Sequence, residues 1–89
     1  MPSRHVTIIN RLGLHARAAA KFVQAATRFG CDIGVIRDGK RVNGKSIMGL
    51  MMLAASQGCE IDLVTEGEDE EAAMTALVEL IEGRFGESE

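Results

Sequence analysis

At 89 residues the chain suffices for one domain with a modest core, and with 46% hydrophobic residues but 3% aromatic ones that core must be aliphatic. A formal net charge of −3 excludes nucleic acid as the main partner, because phosphate backbones select basic faces. No apolar run approaches the length of a membrane span, and Met1-Pro2-Ser3-Arg4-His5 lacks a signal peptide's apolar core, so a cytoplasmic chain with no membrane insertion is expected.

Residues 4–9, Arg4-His5-Val6-Thr7-Ile8-Ile9, alternate polar and apolar as a half-buried strand does, and Asn10-Arg11-Leu12-Gly13 breaks them. A helical pattern starts near Ala16, with Ala19, Phe22, Val23 and Ala26 on one face, and Arg28-Phe29-Gly30 stops it. Residues 32–37 alternate as a second strand, Asp38-Gly39 signals a two-residue hairpin, and 40–43 return as a short polar strand suited to an edge. Ser46 is the natural cap of a second helix running from 47 to about 55, with Leu50, Leu53 and Ala54 turned to the sheet. Residues 60–65 form a fourth strand. The acidic run Glu68-Asp69-Glu70-Glu71 then opens a last helix, with Ala73, Leu77, Leu80 and Ile81 inward and Gly83 as its end. The order β-α-β-β-α-β-α packs most economically as an α+β domain, a mostly antiparallel four-stranded sheet with three helices on one face. It forms a single domain over 1–89, ordered over about 3–83, with 84–89 a frayed tail. Cys31 and Cys59 are in phase with the apolar faces of their strands and read as small core residues rather than a disulfide or metal site.

The run Gly13-Leu14-His15-Ala16-Arg17 places a histidine at or next to a helix N-cap. There the first amides, Ala16 among them, have no intrahelical partner, and the positive end of the dipole favours an anion. Arg17 adds a planar fork of donors that fits phosphate oxygens. An imidazole with an ordinary pKa near ~6.5 is largely neutral, and so nucleophilic, at neutral pH. Phosphoryl transfer asks for in-line placement and donors around the equatorial oxygens. No Asp or Glu lies between Asn10 and Gly30, so the local sequence holds no carboxylate that could activate water against a phosphorylated form. Nine basic residues, from Arg4 to Lys45, lie in the first half, and the acids crowd the last thirty residues, which leaves room for a local basic surface facing an acidic partner.

The second helix, Ile47-Met48-Gly49-Leu50-Met51-Met52-Leu53, is apolar almost all round. Met48 and Met52, at i and i+4, read as a docking patch with Ile47 at its rim, while Met51 also suits a filler role in a core short of aromatics. Residues 39–46, Gly39-Lys40-Arg41-Val42-Asn43-Gly44-Lys45-Ser46, match the G-x-x-x-x-G-K-S nucleotide-binding pattern letter for letter. Against that reading, the preceding strand ends in Arg37-Asp38 rather than an apolar run, and Asp38-Gly39 is better explained as a hairpin. A P-loop module and a small regulatory ligand-binding α/β domain, in which His15 caps or binds an effector, are the rival readings.

The Gly-Leu-His-Ala-Arg and Lys-Ser-Ile-Met-Gly-Leu-Met runs, together with the element order from about 3 to 83, resemble the HPr family, the small phosphocarriers of the bacterial phosphoenolpyruvate-dependent phosphotransferase system. The resemblance implies an open-faced β-sandwich and a carrier that is not itself an enzyme, working as a monomer without cofactor or metal. It implies that enzyme I phosphorylates His15 on Nδ1, that an enzyme IIA-type protein receives the group, and that Arg17 positions the phosphate. Ser46 matches the regulatory serine that a kinase (HPr kinase/phosphorylase) modifies in many members, and the helix with Ile47, Met48, Met51 and Met52 matches the docking face. The chain departs from the pattern at Ala18, where the family usually has proline, and at Leu12, where sugar-transport members often carry a small polar residue. Both departures resemble the nitrogen-regulatory branch rather than sugar uptake.

Overall fold

The structure, a computed structural model, describes residues 2–88. Its elements are β1 (Ser3–Thr7), α1 (Ala16–Ala26), β2 (Asp32–Arg37), β3 (Lys40–Asn43), α2 (Ile47–Met52), β4 (Glu60–Glu66), α3 (Glu70–Glu82) and a final 3-10 turn, Arg84–Gly86. The four strands form one sheet in the order β1-β4-β2-β3, and every neighbouring pair is antiparallel. Alternation along the strands sends Val6, Ile33, Val35, Ile61 and Leu63 into a core shared with Phe22, Leu50, Leu77 and Ile81 of the helices. The other face of the sheet stays open, which is the expected open-faced sandwich.

The hairpin and the edge strand stand where the sequence puts them. Asp38 (φ +51°) and Gly39 (φ +78°) take the left-handed pair of conformations that a two-residue turn requires, and polar β3 is the outer strand. Ile8 and Ile9, expected in the first strand, lie beyond the end of β1. Ile8 still exchanges backbone bonds of 2.8 Å with Cys59 O and Gly58 N, whereas Ile9 turns toward solvent.

Two elements differ more. The second helix stops at Met52 instead of reaching 55, because Ala54 adopts φ +52° and the following backbone is committed elsewhere. The Leu53 carbonyl accepts from Arg37 Nη1 at 2.8 Å, and the Ala55 carbonyl accepts from Leu14 N at 2.8 Å. Ala55, not Ala54, is therefore the alanine that reaches the core. The segment from 84, expected to fray, is instead folded back onto the domain through Glu87. Phe85 is fully buried, and Lys21 Nζ donates to its carbonyl at 2.7 Å. Burying a phenylalanine side chain contributes on the order of 2–3 kcal/mol, which offsets much of the freedom lost by the residues around it, and the hydrogen bond from Lys21 adds to that. Asp69 also does more than face a helix dipole. Its carboxylate accepts from Gly30 N (2.9 Å) and Cys31 N (3.0 Å), fastening the α1–β2 loop to the start of α3. Cys31 is buried, as its phase predicts, while Cys59 is partly buried against the core edge.

Gly13 fixes where the loop after β1 comes to rest. It sits at φ +68°, and a Cβ there would lie 2.6 Å from the Ala55 carbonyl oxygen and 2.7 Å from Ser56 Cα. Neither contact can be relieved by a side-chain rotation. Gly13→Ala is expected to lower stability by about 2 kcal/mol or more, read by denaturant unfolding, since both the left-handed backbone and the backbone contact oppose it.

On the open face of the sheet, His5 lies between two carboxylates, with Nδ1 2.7 Å from Asp62 Oδ1 and Nε2 2.8 Å from Glu60 Oε1. These contacts, Asp62 first and Glu60 second, raise the His5 pKa above its ordinary 6.5. A raised histidine pKa stabilises the fold fully below 6.5, and that stabilisation is lost as pH climbs through the higher folded value. Melting temperature should therefore drop across that interval in the native chain, and His5→Ala should flatten the drop.

Candidate functional site

His15 is the N-cap of α1, with φ −76° and ψ 178°, and its carbonyl accepts the first intrahelical bond from Ala19 N at 2.8 Å. Its ring turns over the helix end, so that Nδ1 accepts from Arg17 N at 3.3 Å. Ala16 and Ala18 carry the other first-turn amides that a helix cannot pair with its own carbonyls. The His15 side chain is 27% exposed, which leaves an edge of the ring open to a reactant while the rest is held. Arg17 is exposed, and it lines with Arg11, Leu12, Ala16 and Glu87 an open cleft of about 550 Å³ around the imidazole. The residues expected to hold phosphate are thus brought together: His15, Ala16 and Arg17 share one helix mouth.

The fold adds two side chains that the sequence reading passed over. Glu87, 72 positions away, brings a carboxylate to a site whose local sequence has none, and its Oε2 hydrogen-bonds His15 Nε2. The other oxygen, Oε1, accepts from Asn10 Nδ2 at 3.0 Å. Asn10 is fully buried, and the same amide donates to Gly13 O at 2.8 Å, so one side chain ties the loop before His15 to the chain end. The Asn10 amide first, and His15 second, hold the Glu87 carboxyl below its ordinary pKa of 4.5. Glu87 faces Nε2, on the edge of the ring away from Nδ1, so it is poorly placed to direct water at a group carried on Nδ1. Asn10 had been legible as a strand breaker; only the aromatic Phe85 within the supposed tail hinted that the chain end is anchored.

Ser46 caps α2, its Oγ accepting from Gly49 N at 3.0 Å, and it is half-buried. The nucleotide-binding pattern around it is not a phosphate cradle. Gly39 belongs to the hairpin turn, 40–43 are the edge strand, and Lys45 Nζ is bonded to the Phe29 carbonyl at 2.7 Å. The motif is divided among a turn, a strand and a cap, which corrects the P-loop reading. On α2, Leu50 and Leu53 are buried, while Met48 (74% exposed), Met52 (61%), Met51 (47%) and Ile47 (41%) face outward. Met51 is therefore part of the outer patch and not a core filler, because the helix is short and its inward face is already taken by the leucines. Gly13 and Leu14 rest on the segment leaving this helix, so the helix mouth at His15 and the apolar patch adjoin.

Comparisons with known proteins agree with this geometry. The family described as "PTS HPr component phosphorylation site" matches residues 2–83. The chain is 56% identical to the phosphocarrier protein HPr of Neisseria meningitidis serogroup A over 89 residues, all of both chains. It is 58% identical over 90 residues to that of Pseudomonas aeruginosa, again all of both. Among solved structures, HPr-C-His from Thermoanaerobacter tengcongensis superposes with TM-score 0.97 at 53% identity over all of both chains. HPr from Bacillus anthracis gives 0.87 at 48%, covering 90% of this chain and 95% of that one. An HPr dimer from T. tengcongensis gives 0.79 at 54%, covering 98% and 100%. With the two motifs in register, the helix-mouth histidine and the open-faced sandwich all in agreement, the chain belongs to the HPr family of phosphocarrier proteins of the phosphotransferase system.

Proposed function

We propose that this chain accepts a phosphoryl group on Nδ1 of His15 from enzyme I and passes it to an enzyme IIA-type acceptor. One observation carries the reading: the Arg17 amide donates to Nδ1 within a cleft that also holds the Arg17 side chain. A backbone N–H can only donate, so Nδ1 holds its lone pair and is the nucleophilic nitrogen. At 3.3 Å that bond is long, and the amide can turn to a phosphate oxygen once the group arrives. The lone pair forms the N–P bond in line while the donor's own N–P bond breaks and its electron pair returns to the donor's ring. Transfer to the acceptor is the same displacement reversed. The Arg17 side chain and the amides of Ala16 and Arg17 would surround the equatorial oxygens. The chain is then a protein substrate of enzymes rather than a catalyst with turnover.

Ile47, Met48, Met51 and Met52 would form the docking surface. They are apolar and adaptable, and they lie beside the histidine loop. All groups of the site come from one chain, so a monomer suffices. No helix among the described residues is long and apolar enough to cross a membrane, in keeping with a cytoplasmic carrier. Leu12, 65% exposed at the cleft, and Ala18 in the first turn favour an acceptor of the nitrogen-regulatory branch over sugar uptake. Ser46 is proposed as the site of a kinase. A phosphate there adds about −1.5 to −2 charges at a helix N-terminus, which leaves the fold intact while repelling an acidic partner from the patch.

Incubation with enzyme I and labelled phosphoenolpyruvate is expected to give an acid-labile label that His15→Ala abolishes and Ser46→Ala leaves unchanged. Label that survives His15→Ala would refute the proposal. Arg17→Ala should slow transfer roughly tenfold or more without lowering the melting temperature, since it removes a charge-assisted donor that the fold does not use. Ser46→Asp should slow phosphorylation by enzyme I roughly five- to tenfold with unchanged unfolding, as expected for one unscreened charge near the interface.

A further inference from the structure

Resting on that reading of His15, we infer that Glu87 is a positioning residue: its carboxylate holds the Nε2 proton, aims Nδ1 at the cleft and faces the positive charge that the ring acquires on phosphorylation. The two edges of the imidazole are read by groups of opposite character. The Arg17 amide donates to Nδ1, and the carboxylate of Glu87 accepts from Nε2. An ionised carboxylate has acceptors only, so both contacts are satisfied together by one tautomer, protonated on Nε2 and bare on Nδ1.

The carboxylate is built into place. Phe85 is fully buried two residues before it, Lys21 Nζ holds the Phe85 carbonyl at 2.7 Å, and Asn10 Nδ2 holds the second carboxylate oxygen at 3.0 Å. The Glu87 side chain is 16% exposed, so its bond to the ring is sheltered from competing water. This arrangement has the logic of a histidine oriented by a carboxylate on its far nitrogen, here with phosphorus rather than a hydroxyl proton on the near one. Charges balance through the step. When the Nδ1 lone pair bonds to phosphorus and the donor's N–P bond breaks, the Nε2 proton stays on the ring. The ring passes from neutral imidazole to imidazolium, directly opposite Glu87. The carboxylate therefore favours the phosphorylated form over the free one without touching the phosphoryl group.

The test compares full-length native chain with Glu87→Ala and Glu87→Gln. Three quantities are read: the imidazole Nε2 proton by NMR, the equilibrium of phosphoryl exchange with enzyme I, and the rate of that exchange. The native chain should show a protected, downfield Nε2 proton. Glu87→Gln keeps an acceptor oxygen without the charge, so it should retain that signal and most of the rate while the equilibrium moves about tenfold toward the donor, the scale of one charge-assisted hydrogen bond. Glu87→Ala should lose the signal and show both the displaced equilibrium and a rate lower by roughly tenfold. Glu87→Gln should melt close to the native chain, and Glu87→Ala somewhat lower, because Asn10 Nδ2 loses an acceptor while Phe85 still anchors the segment. A native chain that takes label on His15, with Glu87→Ala matching it in proton signal or in equilibrium, would overturn the inference alone. A native chain that takes no label on His15 would remove the carrier reading and this inference together.

Discussion

The contact on which the site depends is the seat of the Gly13–Leu14 backbone on the chain leaving α2. Leu14 N donates to the Ala55 carbonyl, and Gly13 approaches the same peptide so closely that no side chain fits between them. Because a glycine occupies that place, the loop after β1 can turn with positive φ and deliver His15 to the mouth of α1. The same bond goes with the early end of α2. The left-handed backbone at Ala54 breaks the helix and turns the next carbonyl, that of Ala55, toward Leu14 N. That backbone hydrogen bond thereby seats the histidine loop on the end of α2 and brings the two side by side.

Around that seat the imidazole is gripped by a donor on one edge and an acceptor on the other. Neither contact alone would fix the ring. An amide on Nδ1 leaves the ring free to tilt, and a carboxylate on Nε2 leaves the other edge unassigned. Asn10 links the two sides, since its buried amide reaches both Gly13 O and Glu87 Oε1. The cost of placing a carboxylate beside the site is lessened by these donors, which hold its pKa below the usual value and keep it ionised. The Nδ1 edge faces the Arg17 amide, in a cleft that also holds the Arg11 and Arg17 side chains, an electrostatic setting suited to an anion.

The chain's local chemistry made much of this legible. Alternation over 32–37 and 60–65, the Asp38-Gly39 turn, the Ser46 cap and the helix mouth at His15 are each set by a few neighbouring residues, and each stands where that chemistry puts it. Residues 39–46 show the opposite hazard, because a motif matched by letters was dismantled by the hairpin that its own first glycine belongs to. Met51, which local pattern left open between patch and core filler, falls to the patch because six residues of helix present too little inward face for three more methionines once Leu50 and the capping Leu53 are in place.

By itself, then, the sequence determined the order and type of the elements, the histidine at the helix mouth and the cation beside it, since these follow from periodicity, caps and side-chain chemistry within a few positions. Tertiary structure alone decided where α2 stops, that 84–87 pack instead of fraying, and that Asn10 and Glu87 belong to the site. The physical reason is the range of the interactions involved. The chain leaving α2 is bonded to a peptide forty-one positions earlier, and Glu87 reaches His15 only because Phe85 finds room in a core assembled from the whole chain.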